Sequence, residues 1–145
     1  MREIKFRVWH KEYKTMGNVR KLHFLGSRIK VNDDIDFVLN MKDKEKQNIE
    51  LMQYTGIKDK NGKEIYEGDI VRIYYGLCDD VFLIGEVKYG EFEYSACDEY
   101  NCNRYGYYAS KKWEDYCCNT GYPIQPGEEL EVIGNIYENE DLLEK

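Results

Sequence analysis

The sequence predicts a mainly-β protein: a small barrel of bent, SH3-like strands with an N-terminal β-meander, a Tyr-rich excursion and a short C-terminal helical turn. Three observations lead there. Apolar and polar residues alternate in short runs, as Ile4, Phe6 and Val8 do against Lys5, Arg7 and Trp9, the period of a strand with one buried face. A β-branched run, Ile70-Val71-Arg72-Ile73, leaves the turn Glu67-Gly68-Asp69 directly, which is a strand signal. Strands interrupted by Gly and closed by a late apolar run, Leu130 to Tyr137, follow the pattern of a small barrel. The SH3 likeness is an analogy of pattern.

Taken in order, the first strand gives way to a turn between His10 and Gly17. Val19 to Leu25 and Arg28 to Val31 read as short meander strands, and Asn32-Asp33-Asp34 breaks the pattern. Phe37-Val38-Leu39 fits either a strand or a helix. Lys42 to Asn48 is charged, with no apolar face. The chain reads as a single domain, 1–145, with room for a subdomain break near residues 42–50. Ile49, Leu51 and, less regularly, Met52 return it to the core.

Asp59-Lys60-Asn61-Gly62 is a turn, because Asn and Gly tolerate positive φ. With Ile57 and Ile65 as the nearby apolar residues, a compact loop with short arms fits better than a long hairpin. Tyr75-Gly76 to Asp79-Asp80 reads as a loop. Val81 to Tyr89 is a strand interrupted at Gly85, where a bulge or sharp bend is expected. Gly90 then separates it from Glu91-Phe92-Glu93-Tyr94, giving a hairpin. Cys97 to Tyr122 is the least regular stretch and reads as a long excursion from the barrel, with a turn or two of helix between Lys111 and Cys118. Asn139 is an expected N-cap for a helical turn over Glu140-Asp141-Leu142-Leu143.

At 145 residues the chain is long enough for one domain with a real core,. Charged residues make up 34% of it, and no apolar run reaches the length of a membrane span or a signal-peptide core. The expectation is a soluble protein of the bacterial cytoplasm. Five cysteines at irregular spacing do not read as a secreted disulfide framework. No phosphate-binding, dinucleotide-binding or metalloprotease motif is present.

Leu51 to Val71, LMQYTGIKDKNGKEIYEGDIV, resembles the hallmark segment of the YopX family of phage and prophage proteins from Gram-positive bacteria. Arg2-Glu3-Ile4-Lys5-Phe6-Arg7-Val8-Trp9 resembles the family's opening strand. Glu131-Val132-Ile133-Gly134-Asn135-Ile136-Tyr137-Glu138-Asn139 resembles its closing segment. Residues from about 77 to 126 carry little of the likeness. His10 stands where Asp is usual, and Glu140 where Pro is usual. The resemblance implies a mostly-β phage protein of unknown activity and brings no catalytic residues with it.

Formal charge is −7, unevenly spread. Residues 1–30 carry nine Lys and Arg against two Glu, whereas residues 65–145 carry six against eighteen acids. Such polarity suits a functional surface or self-complementarity. Equally, basic strands can pair with acidic ones inside one fold. The candidate basic surface comprises Lys5, Arg7, Arg20, Lys21, Arg28 and Lys30.

The candidate protein interface is the aromatic cluster Tyr100, Tyr105, Tyr107, Tyr108, Trp113, Tyr116 and Tyr122, set against the plainer reading of rings packed over a small barrel. Its surroundings lack the basic track that nucleic acid needs. Cys97, Cys102, Cys117 and Cys118 have poor zinc spacing, since the second pair is adjacent and ligand pairs normally stand about two to four residues apart. No metal or cofactor is expected. Asn61, Gly62, Gly68 and Asp69 read as structural turn residues, with Asp69 accepting backbone hydrogen bonds. His10 and His23 could meet across a hairpin, but no acid or nucleophile is fixed beside them.

These readings point to a non-catalytic binding module. It would act through protein–protein contact, with itself as a homo-oligomer or with a host or phage protein. The alternative is nucleic-acid binding by the basic N-terminal strands. No membrane partner is expected.

Overall fold

Alternation, β-branched runs and Gly turns produce strands along most of the described residues. In a computed structural model the described residues are 3–23, 28–31, 35–38, 48–74, 82–94, 102–110, 121–127 and 129–144. The strands are β1 (Phe6–His10), β2 (Thr15–His23), β3 (Arg28–Val31), β4 (Ile35–Val38), β5 (Ile49–Lys58), β6 (Glu64–Tyr66), β7 (Asp69–Tyr74), β8 (Phe82–Tyr94), β9 (Cys102–Ser110), β10 (Gly121–Pro123) and β11 (Leu130–Asn135). A 3₁₀ turn, Glu140–Leu143, follows. The protein is mainly β, with two antiparallel sheets. The chain divides into two compact units, 1–54 and 55–145, and the division falls inside β5.

In the first unit the strand order is β4-β3-β2-β1-β5. β1 lies between β2 and β5, with Val8 opposite Gly17 on one side and Leu51 on the other. Successive strand residues point to opposite faces, and Val8 and Trp9 are both buried, so β1 is covered on both faces at these positions. The simple one-face expectation fails here. Trp9 is inside, and Ile4, before the strand begins, is 72% exposed. A similar correction applies to β5, where Met52 and Tyr54 are buried and Leu51 is 40% exposed. The turn between β1 and β2 is Lys11 to Lys14, tighter than expected, with Lys14 at φ 48°. Phe37 and Val38 belong to a strand. The readings at Asn32-Asp33-Asp34 and Lys42 to Gln47 fall outside the described residues.

In the second unit the order is β10-β9-β8-β7-β11, curled into a half-barrel. Its core joins Ile65, Val71, Ile73, Val87, Ala109, Ile124, Leu130 and Val132. Each Ile, Val or Leu among them, fully buried, contributes about 1.5–3 kcal/mol. β8 departs from expectation. It runs unbroken through Gly90 for 13 residues, so Glu91 to Tyr94 is its second half and not a hairpin partner. Its partner is β9, in register from Glu86 opposite Ser110 to Tyr94 opposite Cys102. The stretch expected to be an irregular excursion therefore contains a nine-residue strand and also β10. Gly85 is no bulge, since its ladder with β7 is regular. A Cβ there would come within 2.9 Å of the Ser110 carbonyl oxygen, so the glycine permits close approach of β9. The expected loop at residues 75–80 and helix at 111–118 lie outside the described residues.

Candidate functional site

The central turns are held by carboxylates that serve the backbone. Asp59 is 6% exposed. One of its oxygens accepts the N–H groups of Asn61 and Lys63, both at 2.8 Å, and the other accepts the Val132 N–H at 3.1 Å. Burial pushes the Asp59 pKa up, but these three donors and the Lys63 charge outweigh it and hold the carboxyl below its ordinary value,. The Gly62 N–H donates to the Asp59 carbonyl at 2.9 Å, with Gly62 at φ 81° and Asn61 outside the positive-φ region. The turn is thus one with a single left-handed residue, not the Asn-Gly type I′ turn, which needs two.

Gly68, at φ 75°, forms the second turn. Asp69 is 1% exposed and accepts the Tyr66 N–H at 2.8 Å. These two turns reach the closing segment directly. The Lys60 N–H donates to the Leu130 carbonyl at 2.9 Å and the Ile136 N–H to the Gly68 carbonyl at 2.9 Å.

The closing segment is locked by its own amides. The Asn135 side-chain oxygen accepts the N–H groups of Tyr137 and Glu138 at 3.0 Å. The Asn139 side chain accepts the Asn135 N–H at 3.3 Å. Asn139 therefore occupies the cap position, but its side chain turns back to Asn135 and makes no cap bond to the 3₁₀ turn. A Cβ on Gly134 would lie 2.6 Å from the Asn139 side-chain oxygen. That contact explains the small residue.

The aromatic candidates separate. Tyr108 is buried and stacks on Phe92, with centroids 4.6 Å apart. Tyr122 is half-buried against the core. Tyr105 is 73% exposed. Tyr107, partly buried against the core, joins it through a residue that sequence reading missed, Tyr89. Tyr89 is 49% exposed, sits opposite Tyr107 in the ladder, and has its ring centroid 5.2 Å from Tyr105 and 4.8 Å from Tyr107. Period-two spacing from buried Val87 was the signal that could have placed Tyr89 on this face. Tyr100, Trp113 and Tyr116 lie outside the described residues.

Among the basic candidates, Lys5 pairs with Glu3 at 3.2 Å and sits 5.6 Å from the Tyr54 ring centroid. The Arg7 guanidinium meets the Met52 sulfur at 3.6 Å. Arg20, Lys21, Arg28 and Lys30 lie on the β2–β3 ribbon, Arg20 within its register shift. His10 and His23 do not meet. His10 faces Thr15 at the start of β2, His23 is at its far end opposite Arg28, and His10 stacks on Tyr13 at 4.3 Å. The His10 Nδ1 accepts the Tyr13 N–H at 3.2 Å. Among the described residues no three His, Cys, Asp or Glu gather as metal ligands. Of the four cysteines considered for zinc, Cys102 lies in β9 and the other three fall outside the described residues. No helix among the described residues is long and apolar enough to cross a membrane.

A polar cluster absent from the sequence reading joins the Asp59 turn to β7 and β11. The Lys60 ammonium sits 4.2 Å from the Tyr74 ring centroid and 3.5 Å from Glu131, and the Tyr74 hydroxyl donates to Glu131 at 3.2 Å.

Comparison with known proteins agrees with this geometry. The solved structure of protein EF1440 from Enterococcus faecalis shares the fold, with 23% identity, 99% of each chain covered and a TM-score of 0.52. None of the curated proteins matches the chain. The family model described as YopX protein matches residues 5–144, so the turns and locks described above are those of a chain that belongs to the YopX family.

Proposed function

We propose that this chain is a non-catalytic binding module of phage origin, working in the host cytoplasm through protein–protein contact, with a second copy of itself as the first partner to test. The observation that carries this reading is the Tyr89–Tyr105–Tyr107 group on β8 and β9. These rings continue the face that carries Val87 and Ala109 into the core. Tyr rings already packed against one another lose little rotamer freedom on binding, and their hydroxyl tips stay hydrogen-bonded or wet. Aromatic anchors of this kind dominate the energetics of protein interfaces.

Light scattering over a concentration series tests the reading. The wild-type chain is expected to show a mass above that of one chain, and Tyr89→Ser/Tyr105→Ser to lower it. High salt should leave a contact made by rings in place, since screening weakens exposed charges and not apolar burial. A wild-type mass of one chain at all concentrations removes self-association. Tagged retrieval from nuclease-treated host extract then asks for a different protein that Tyr105→Ser releases. Failure of both removes the reading.

A further inference from the structure

We propose that the face of the β2–β3 ribbon carrying Lys21, His23, Arg28 and Lys30 binds the phosphate backbone of nucleic acid. The register carries this. Lys21 stands opposite Lys30, and His23 opposite Arg28. Opposite residues in a ladder share a face, and so do residues two apart on one strand, so all four positions lie on one face. The alternate positions are Leu22 opposite Ile29, and then Phe37 and Ile35 on β4 opposite Ile29 and Val31. One face of this small sheet is thus wholly apolar at those positions, and the other holds the bases. Asp36 shares the basic face, opposite Lys30, and subtracts one charge there; Val38 lies opposite Arg28.

The sorting depends on a one-residue register shift between Val19 and Lys21. Continued without the shift from Val19 opposite Val31, the ladder would set Lys21 against Ile29 and scatter bases over both faces. The extra residue, Arg20, slides the register so that bases meet bases and apolar residues meet apolar ones. Bulges re-aim side chains in this way and recur next to functional sites. Like charges directly opposite each other are destabilising in a ladder. Two consecutive basic rungs, spaced by about 6.5 Å, lose that penalty when an anionic polymer lies along them.

A phosphate backbone fits this face better than a protein does. Protein interfaces are anchored by aromatic or large apolar residues, and at the rungs from Lys21 to His23 the position that joins these charges with an apolar residue is Val38. Phosphate binding requires cations at repeated spacing and no sequence readout. The site stands independently of the tyrosine group, which lies on β8 and β9.

The test is fluorescence anisotropy of a labelled 20-nucleotide single strand with the full chain. Three permanent cations predict a log–log salt slope of about −2, or roughly a twentyfold loss of affinity between 50 and 200 mM salt. Lys21→Gln/Lys30→Gln should weaken binding and flatten the slope to about −0.7. Lys21→Arg/Lys30→Arg should restore both, and Lys88→Gln should change neither. Circular dichroism checks that each variant is folded. No binding at 50 mM salt overturns the proposal. So does equal loss in Lys88→Gln, or displacement of the strand by poly-glutamate at matched charge, which would assign the face to an acidic protein segment.

Discussion

Asp59 and Tyr105 belong to the same unit and show two opposite uses of polar side chains. Asp59 has both carboxylate oxygens occupied by backbone N–H groups of its own chain. Tyr105 touches Tyr89 and is otherwise 73% exposed. The first lies inside the Leu51–Val71 segment that was recognisable from sequence, and the second lies outside it, although the family match spans both, residues 5–144. The contrast teaches that the most recognisable residues of this chain hold the fold together. The surface proposed for binding sits on strands whose sequence looks irregular.

The largest expected effect comes from breaking the first region. Asp59→Ala strips an acceptor from three backbone donors at once, and hydrogen bonds to a charged group are worth about 1.5–3 kcal/mol each before neighbours relax. A net destabilisation of about 3 kcal/mol in a denaturant titration is the expected outcome, because water reaches some of the freed donors. A loss under 1 kcal/mol would show that the Asp59–Lys63 loop does not depend on this carboxylate.

A second prediction probes the sheet that carries Tyr105 from its buried side. A Cβ at Gly121 would lie 2.3 Å from the Tyr108 ring and 3.0 Å from that of Phe92. Gly121→Ala must therefore push apart two rings that are stacked at 18°. Overpacking of this kind costs about 1–3 kcal/mol. The near-ultraviolet circular dichroism of the stacked pair should change with it, whereas Tyr105→Ser should leave the Phe92–Tyr108 part of that signal intact.

The third sharpens the account of Asp59 through pH. Its folded pKa lies below the ordinary 3.8. Stability from such a group is fully present above the unfolded pKa and is lost as pH falls through the folded one. In Asp59→Asn the titration disappears and one amide nitrogen cannot accept from a backbone N–H. The stability gap between wild type and Asp59→Asn should be full above about pH 5 and should narrow below about pH 4. A gap that does not change with pH would assign the loss to shape and not to charge.

How much of this was legible follows from what each signal measures. The Gly68-Asp69 turn and the strand after it were readable because turn chemistry and β-branching are local. Asp59 was legible as a turn residue, but its bond to Val132 spans 73 positions and no local pattern reports it. Trp9 was assigned to the wrong side because alternation assumes one buried face, and Val8 and Trp9, on opposite faces of β1, are both buried,. β9 was missed for a related reason. Cys102 to Ser110 lies in a Tyr-, Asn- and Gly-rich stretch, Cys97 to Tyr122, a composition that reads as loop, and its strand character comes from the long pairing with β8. Tyr89 went unnoticed because Gly90 read as the end of a strand that in fact continues. The basic ribbon was legible as charge, but its sorting onto one face depends on a register shift that only the ladder reveals.

The smallest expected effect on stability is the most informative about use. Tyr105 sits opposite Glu91, which is itself exposed, and among the described residues its ring contact is with the edge of Tyr89 at an interplanar angle of 83°. Removing an exposed ring with one aromatic neighbour changes stability by no more than about 0.5 kcal/mol. Loss of an anchoring aromatic from an interface weakens binding by 2 kcal/mol or more, roughly thirtyfold in the dissociation constant. Tyr105→Ser should therefore leave the denaturation midpoint in place while shifting the concentration at which the chain associates. Equal effects on both would mean that Tyr105 supports the β8–β9 pairing itself. An unchanged association with an unchanged midpoint would mean that the exposed rings are surface and nothing more, and the contact would have to be sought elsewhere on the chain.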